Sequence, residues 1–310
     1  EPETITIAVD SDDDSADGNV DGAAAVTALA ALSGVPITVD GHPPLRRRPF
    51  APLHDALVQL GVSVTPGATW GNLPVTVKGP PTSGTVRMLG DVSSQYVTAL
   101  MLIGPYLPGG LQLELTTPLV SRPYVEMTAA VMAWFGHDAV TITDDRVTVA
   151  PGRYRATTVA IEPDASSAGY PLAVAAVAGG SVEVPGLGEG ALQGDARFAD
   201  LLAAMGCTVV RTAESVRVSR SLDQPLRGIE VDMADVSDLV PTVAAVALFA
   251  ESPTVISGVG FIRGKESDRL GDLAAELHTI GADIDVTDDG LVIHPPADRL
   301  HGARLGTHHD

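Results

Sequence analysis

The sequence predicts an α/β protein of two domains, assembled from repeated units with helices inside and sheets outside. Three observations carry that expectation. First, an apolar helix of small residues, a glycine or proline turn and a strand recur four times, as AAAVTALAALSGVPITVDG, SQYVTALMLIGPYLPGGLQLEL, SAGYPLAVAAVAGGSVEVPGL and DLVPTVAAVALFAESPTVISGV. Second, each copy is followed by an amphipathic helix that ends in a glycine and leads into two short strands: APLHDALVQLGVSV, YVEMTAAVMAWFGHDAV, RFADLLAAMGCTVV and RLGDLAAELHTIGADIDV. Third, the closing glycines Gly61, Gly136, Gly206 and Gly281 lie 75, 70 and 75 residues apart. That period is too long for a common solenoid and suits a small α/β unit. With 310 residues, 45% of them hydrophobic, the chain is long enough for two cores.

Taken in order, TITIAV at 4–9 alternates like a strand and runs into the acidic stretch DSDDDSAD. Asp10, Asp12 and Asp14 have the spacing of a calcium loop. Ser15 replaces the turn glycine and Asp21 the bidentate glutamate, so a solvated acidic loop is expected instead. The first helix of each unit is apolar nearly all round, which implies burial on every side. Helix 238 to 250 has no charge between Asp238 and Glu251, and Asp238 sits where an N-cap belongs. Ser93 and Ser94, and Ser166 and Ser167, also read first as caps. The amphipathic helices begin near Arg48, near Ser121 with Tyr124, and near Lys265 with Arg269. If the repeats pack in parallel, these N-termini point one way, and their dipoles and cations draw phosphate or carboxylate into one cleft.

The densest charge cluster is RGKESDR, Arg263 to Arg269. A helix starting near Glu266 would place Lys265 and Arg269 on one side of its first turn, where they could share an anion. Glu266 and Asp268 beside them are either ion-pair partners or proton-transfer groups. A net charge of −20, from 39 acidic and 19 basic residues, argues against nucleic acid as a partner. Lysine occurs only at Lys78 and Lys265, and such acidity suits a high-salt cytoplasm. Cys207 stands alone, which excludes an intrachain disulfide and a cysteine metal cluster and fits a packed thiol. Gly104, Pro105 and Pro108 interrupt the longest apolar run, so no membrane span is expected. The start EPETITIAVD lacks the features of a signal peptide, and a cytoplasmic location is expected.

The motifs GDVSSQYVTALML, LVSRPYVEMT, DASSAGYPLAVAAVAGG, QGDARFADLLAAMG and RGKESDRLGDLAAEL stand in the order and spacing of 5-enolpyruvylshikimate-3-phosphate synthase, and the chain resembles that family over roughly residues 35–310. GHPPLRRRPFAPLHDAL is similar to the family's arginine segment. The resemblance implies a two-domain inside-out α/β barrel of repeated βαβαββ units, three per domain, with the active site in the cleft between domains. Residues 1–160 would form the shikimate-phosphate-binding domain, with its first repeat incomplete, and 161–310 a second domain incomplete at its C-terminus. The implied reaction transfers the enolpyruvyl group of phosphoenolpyruvate to the 5-hydroxyl of shikimate 3-phosphate, releasing phosphate. Ser93, Ser94, Gln95, Ser121 and Tyr124 would contact shikimate 3-phosphate, and Arg48 and Arg269 would hold phosphoenolpyruvate. Asp238 would accept the hydroxyl proton, Lys265 would bind substrate and neutralise charge, and Glu266 would exchange a proton with the enolpyruvyl carbon. A monomer is expected, with no cofactor and no metal.

Departures from the family pattern shape one more expectation. The family's lysine-serine motif has no counterpart here, and VDGAAAV follows Gly18 and Asn19 where a glycine-threonine pair and an arginine are expected. Phe261 stands where an asparagine or histidine often sits. The residues end at THHD, where the family continues with a histidine-arginine pair; His308 and His309 fit that segment better than a metal pair. The stretch by itself is therefore expected to bind shikimate 3-phosphate weakly and to turn over slowly or undetectably. Two alternatives are a non-catalytic remnant that binds a phosphorylated ligand, and UDP-N-acetylglucosamine enolpyruvyl transferase. The second family has a reactive cysteine in the arginine segment, where this chain has none.

Overall fold

The computed structural model describes residues 5–9, 20–91, 93–264 and 267–308. The acidic stretch 10–17, Gly18, Asn19, Lys265, Glu266 and His309 lie outside the described residues. The chain divides into two compact units, one reaching Val159 and the other running from Ala160 to His308.

The first unit holds two copies of the repeat. The first copy contains β1 (Ile5–Val9), α1 (Val20–Ala30), β2 (Ile37–Gly41), the short α2 (Pro43–Arg46), α3 (Ala51–Gln59), β3 (Ser63–Pro66) and β4 (Val75–Lys78). The second contains β5 (Thr85–Met88), α4 (Ser94–Ile103), β6 (Leu111–Leu115), α5 (Arg122–Trp134), β7 (Val140–Ile142) and β8 (Arg146–Val149). Their sheets have the same order, β1-β2-β4-β3 and β5-β6-β8-β7, with the first pair parallel and the others antiparallel. Period-2 patterning explains how such strands lie: in β6, Leu111, Leu113 and Leu115 turn inward and Gln112 and Glu114 outward.

The second unit repeats the plan. α6 (Ala165–Ala178), β9 (Gly180–Pro185), α7 (Phe198–Ala204), β10 (Thr208–Arg211) and β11 (Ser215–Arg220) form its first copy. The second consists of β12 (Glu230–Asp232), α8 (Val240–Ala247), β13 (Thr254–Ser257), α9 (Arg269–His278), β14 (Asp283–Val286) and β15 (Leu291–His294). The order β12-β13-β15-β14 matches the first unit's sheets, whereas β9, β11 and β10 form a three-stranded antiparallel sheet. Among the described residues no strand takes the place there that β1, β5 and β12 hold elsewhere, and residues 152–164 carry no regular element.

The repeat inferred from the glycines is present at the level of backbone geometry. Gly61, Gly136, Gly206 and Gly281 all have left-handed φ, at 82, 81, 108 and 89°. Each ends an amphipathic helix and turns the chain into its antiparallel strand pair, a conformation that costs other residues energy. Each unit has its own apolar core. Phe50, Leu53, Leu57, Leu100 and Leu113 belong to the first, and Phe198, Leu202, Val243, Ile256 and Leu291 to the second.

The expectation of helices buried on every side holds for α4, in which no residue is exposed. It fails for α6. Tyr170 is 64% exposed and Val174 61%, on the same face as Ser167 and Ala178. The physical reason is that an apolar surface records what a helix is able to bury, not which neighbour covers it. Helix 238–250 is also shorter than expected, running as α8 over Val240–Ala247 after a 3-10 turn at Ser237–Leu239.

Candidate active site

In the first unit, the starts of α4 and α5 are brought together by the loops that lead into them. Gly90 N donates to Thr117 Oγ1 at 2.9 Å, Asp91 N to the same oxygen at 3.2 Å, and Val120 N to Gly90 O at 3.1 Å. This approach requires glycine, because a Cβ at Gly90 would lie 2.5 Å from Thr117 O. Further along, Thr98 of α4 and Thr128 of α5 share a hydrogen bond of 2.9 Å. The helix starts carrying Ser93, Ser94 and Gln95, and Ser121 and Tyr124, are thus fixed side by side.

Ser93 is the N-cap of α4, its Oγ accepting from Gln95 N at 3.2 Å and reaching Gln95 Oε1 at 3.3 Å. Ser94 is buried as the first helical residue. The cap reading therefore holds for Ser93 and not for Ser94. Ser121 is a different case: buried and left-handed at φ 54° and ψ 39°, it precedes α5 without making a side-chain cap. A non-glycine residue held there costs about 1–2 kcal/mol, and such strain gathers where function requires a particular direction of the side chain. The first turn of α5 is secured by Arg122, which donates to Glu126 Oε1 and Asp144 Oδ1, both at 2.8 Å. Tyr124, half-buried, lies in that turn, with its N–H donating to Ser121 O at 3.1 Å.

Arg48 is half-buried in the link between α2 and α3. Arg46, two residues earlier at the end of α2, donates to both carboxylate oxygens of Asp40 at 2.8 and 2.7 Å, and this pairing holds the Asp40 carboxyl below its ordinary value. The link touches the serine helix directly, because Tyr96 Oη donates to Pro49 O at 2.5 Å.

In the second unit, Arg269 Nη1 donates to Asp238 Oδ1 at 2.7 Å. Asp238 stands in the 3-10 turn before α8, and Leu239 takes the cap position, so Asp238 is not the cap its place in the sequence suggests. α9 starts at Arg269, not near Glu266. Asp268 is its N-cap, accepting from Gly271 N at 3.0 Å, because a carboxylate there satisfies an otherwise unpaired N–H. Arg263 Nη1 donates to both oxygens of Asp268 at 3.0 Å and its Nη2 to Thr287 O at 2.8 Å. The charge cluster thus divides into an Arg263–Asp268 pair that closes the loop and an Arg269–Asp238 pair.

Asp164 caps α6, with Ser166 N and Ser167 N donating to it, so those serines lie inside the helix and are not its caps. Ser166 Oγ donates to the buried Asp195. Cys207 is buried in the second core, where burial pushes its thiol up, as expected for a packed residue. His308 Nε2 is 2.7 Å from Glu276 Oε1, a bond that raises the His308 pKa above its ordinary value. Among the described residues no group of three or more His, Cys, Asp or Glu is placed to hold a metal, and no helix is long and apolar enough to cross a membrane. An open cavity of about 670 Å³ beside Arg220 is lined by none of the residues singled out from the sequence.

A family model described as EPSP synthase (3-phosphoshikimate 1-carboxyvinyltransferase) matches residues 20–310. The chain belongs to the EPSP synthase family. It is 40% identical over 283 residues to a 3-phosphoshikimate 1-carboxyvinyltransferase of Methanosphaerula palustris, covering 91% of this chain and 66% of the relative. It is 41% identical over 286 residues to that of Methanoculleus marisnigri, covering 92% and 67%. The chain thus spans about two thirds of the length of these relatives. Among solved structures, EPSP synthase from Acinetobacter baumannii superposes with a TM-score of 0.71 at 22% identity, over 90% of this chain and 64% of that one. The enolpyruvyl transferase NikO from Streptomyces tendae gives 0.62 at 24%, over 81% and 59%. The fold is therefore that of the enolpyruvyl transferases.

Sequence reading missed Asn72, Tyr96 and Asp164. Asp164 was within reach, since an aspartate two and three residues before serines at a helix start is a standard cap pattern. Asn72 and Tyr96 act through backbone carbonyls distant in sequence, which no local pattern records.

Proposed function

We propose that this EPSP synthase family member transfers the enolpyruvyl group of phosphoenolpyruvate to the 5-hydroxyl of shikimate 3-phosphate. The observation that carries the reading is the joining of the α4 and α5 starts through Gly90, Thr117 and Val120, next to an arginine segment tied to α4 by Tyr96. Hydroxyls and helix N-termini there suit a phosphorylated polyol, and Arg48 suits a carboxylate or phosphate.

In the reaction, the 5-hydroxyl oxygen bonds to C2 of phosphoenolpyruvate while C3 takes a proton. The tetrahedral intermediate then loses phosphate as the C2–O bond breaks and C3 returns its proton. Ser93, Ser94, Gln95, Ser121 and Tyr124 hold shikimate 3-phosphate. Arg48 and Arg269 hold phosphoenolpyruvate, and Asp238 takes the hydroxyl proton. Arg269 already bonds Asp238, so the cation assigned to phosphoenolpyruvate and the carboxylate assigned to the hydroxyl proton are neighbours within the second unit. Lys265 and Glu266, outside the described residues, take the roles of charge neutralisation and proton exchange at C3. A sugar-nucleotide acceptor is disfavoured, since Cys207 is buried in the second core and the arginine segment contains no cysteine. We further propose that the protein works as a cytoplasmic monomer without a cofactor, in a salt-rich cytoplasm as its net charge of −20 suggests.

The test is phosphate release with both substrates present, followed by 31P NMR at low and at molar salt. Release that requires both substrates, and is lowered at least tenfold by Asp238→Asn, is expected. Because the stretch by itself is expected to turn over slowly, release is followed to long times, and the absence of both release and calorimetric binding of shikimate 3-phosphate refutes the reading.

A further inference from the structure

We propose that Asn72 and Tyr96 are positioning residues that brace the Arg46–Phe50 segment from two sides and thereby set the direction of Arg48. The proposal rests on the assignment of Arg48 to phosphoenolpyruvate made above.

Arg46 ends α2 and residues 47–50 form a link with no regular element, so the carbonyls here have no ladder to join. Side chains supply the missing donors. Asn72 Nδ2 donates to Arg46 O at 2.9 Å and to Arg48 O at 3.3 Å, so one amide nitrogen spans both sides of Arg47. From a different element, α4, Tyr96 Oη donates to Pro49 O at 2.5 Å. Phe50 N completes the frame by donating to Gly71 O at 2.7 Å, beside Asn72. Three carbonyls and one amide around Arg48 are therefore held by two elements that do not themselves carry the arginine.

Each brace stands on something rigid. Tyr96 is buried in the first turn of α4, one residue after Gln95, and its ring lies 6.2 Å from Phe50. Asn72 follows Trp70, which donates to Asp55 Oδ1 of α3 at 3.0 Å and meets the ring of His54 edge-on at 5.7 Å. The two sides differ in consequence. Tyr96 ties Arg48 to the helix start that holds Ser93 to Gln95, so it sets the distance between the two substrates' binding groups. Asn72 sets the tilt of the arginine backbone. Reaction between two bound substrates depends steeply on such placement, and a misplacement of about 1 Å is worth roughly a hundredfold in rate.

The experiment uses Asn72→Ala and Tyr96→Phe; the second keeps the ring and removes only the donor. In steady-state assays each variant is expected to raise the KM for phosphoenolpyruvate about tenfold while changing that for shikimate 3-phosphate less than about twofold. A melting temperature lowered in both variants with neither KM moved would mean a purely structural role, and would overturn the proposal. Hydrogen exchange of the Arg48 and Phe50 amides is read in parallel without substrates. It should quicken about tenfold in each variant, and unchanged exchange overturns the brace. If wild-type protein neither releases phosphate nor binds shikimate 3-phosphate, enolpyruvyl transfer fails while the exchange result still decides the brace.

Discussion

Lowering the pH from 7.5 to 5 should weaken the first unit through one residue, His54. Its imidazole is wholly buried in α3, and neither ring nitrogen has a hydrogen-bond partner. Phe50 stacks on it at 6.3 Å and Trp70 meets it edge-on at 5.7 Å. Desolvation lowers its pKa from 6.5 to about 4, and the charge of Asp55 offsets that only in part. The sign follows from linkage. The unfolded chain takes up the proton near pH 6.5 and the folded chain only near 4. The stabilisation from neutral, buried His54 is thus complete above pH 6.5, declines between 6.5 and 4, and is gone below 4. Lowering from 6.5 to about 4 corresponds to roughly 3 kcal/mol in full, of which about 2 kcal/mol is lost by pH 5. That is a large part of the 5–15 kcal/mol typical of a domain. The assay is urea unfolding at pH 7.5 and 5, followed by tryptophan fluorescence, on wild type and His54→Leu. Carboxylates titrate in both proteins, so the difference between the two pH dependences isolates His54. The leucine variant should lose about 2 kcal/mol less than wild type on acidification. Equal losses would refute the argument, since they would show that His54 binds its proton alike in both states.

Ser121→Gly should relieve the left-handed strain and raise stability by up to about 1 kcal/mol, while removal of the hydroxyl weakens shikimate 3-phosphate about tenfold; calorimetry and urea unfolding on the same variant check both signs. His308 should titrate above 6.5 by NMR, because Glu276 bonds its protonated ring. Stability from that contact is therefore present below pH 6.5 and lost as pH rises through the raised value, whereas the part from Glu276, whose pKa is lowered, is lost at acid pH. A His308 midpoint at or below 6.5 would contradict this. The net charge of −20 should make melting temperature rise between 0.1 and 1 M salt as the Debye length falls from about 10 to about 3 Å, and a flat profile would count against it.

Much of the fold was legible in the sequence because it rests on local chemistry. Glycine alone adopts left-handed φ without strain, so Gly61, Gly136, Gly206 and Gly281 mark the four repeats in the sequence as plainly as in the backbone. Alternation in LQLEL marks a strand because side chains alternate across a sheet, whereas the small-residue pattern marks helices without fixing how far each is buried. Motif order was equally informative, and it led to the EPSP synthase family, whose model matches residues 20–310.

Tertiary structure alone decided which groups meet. Asp238 looks like a cap in sequence and becomes the partner of Arg269, 31 residues on, because the helix starts two residues later than its composition suggests. Asp268 reads in sequence as an ion-pair partner, and the fold decides that its cation is Arg263, whose bonding Thr287 O from a distant turn completes. Tyr96 and Asn72 carry no motif. Their partners are backbone carbonyls, which every residue has, so nothing in the sequence distinguishes these carbonyls from the rest until the chain folds. The sequence by itself determined the repeats, the family and the residue types available for chemistry; the register of the loops, set by packing between elements far apart in the chain, decided where those residues point.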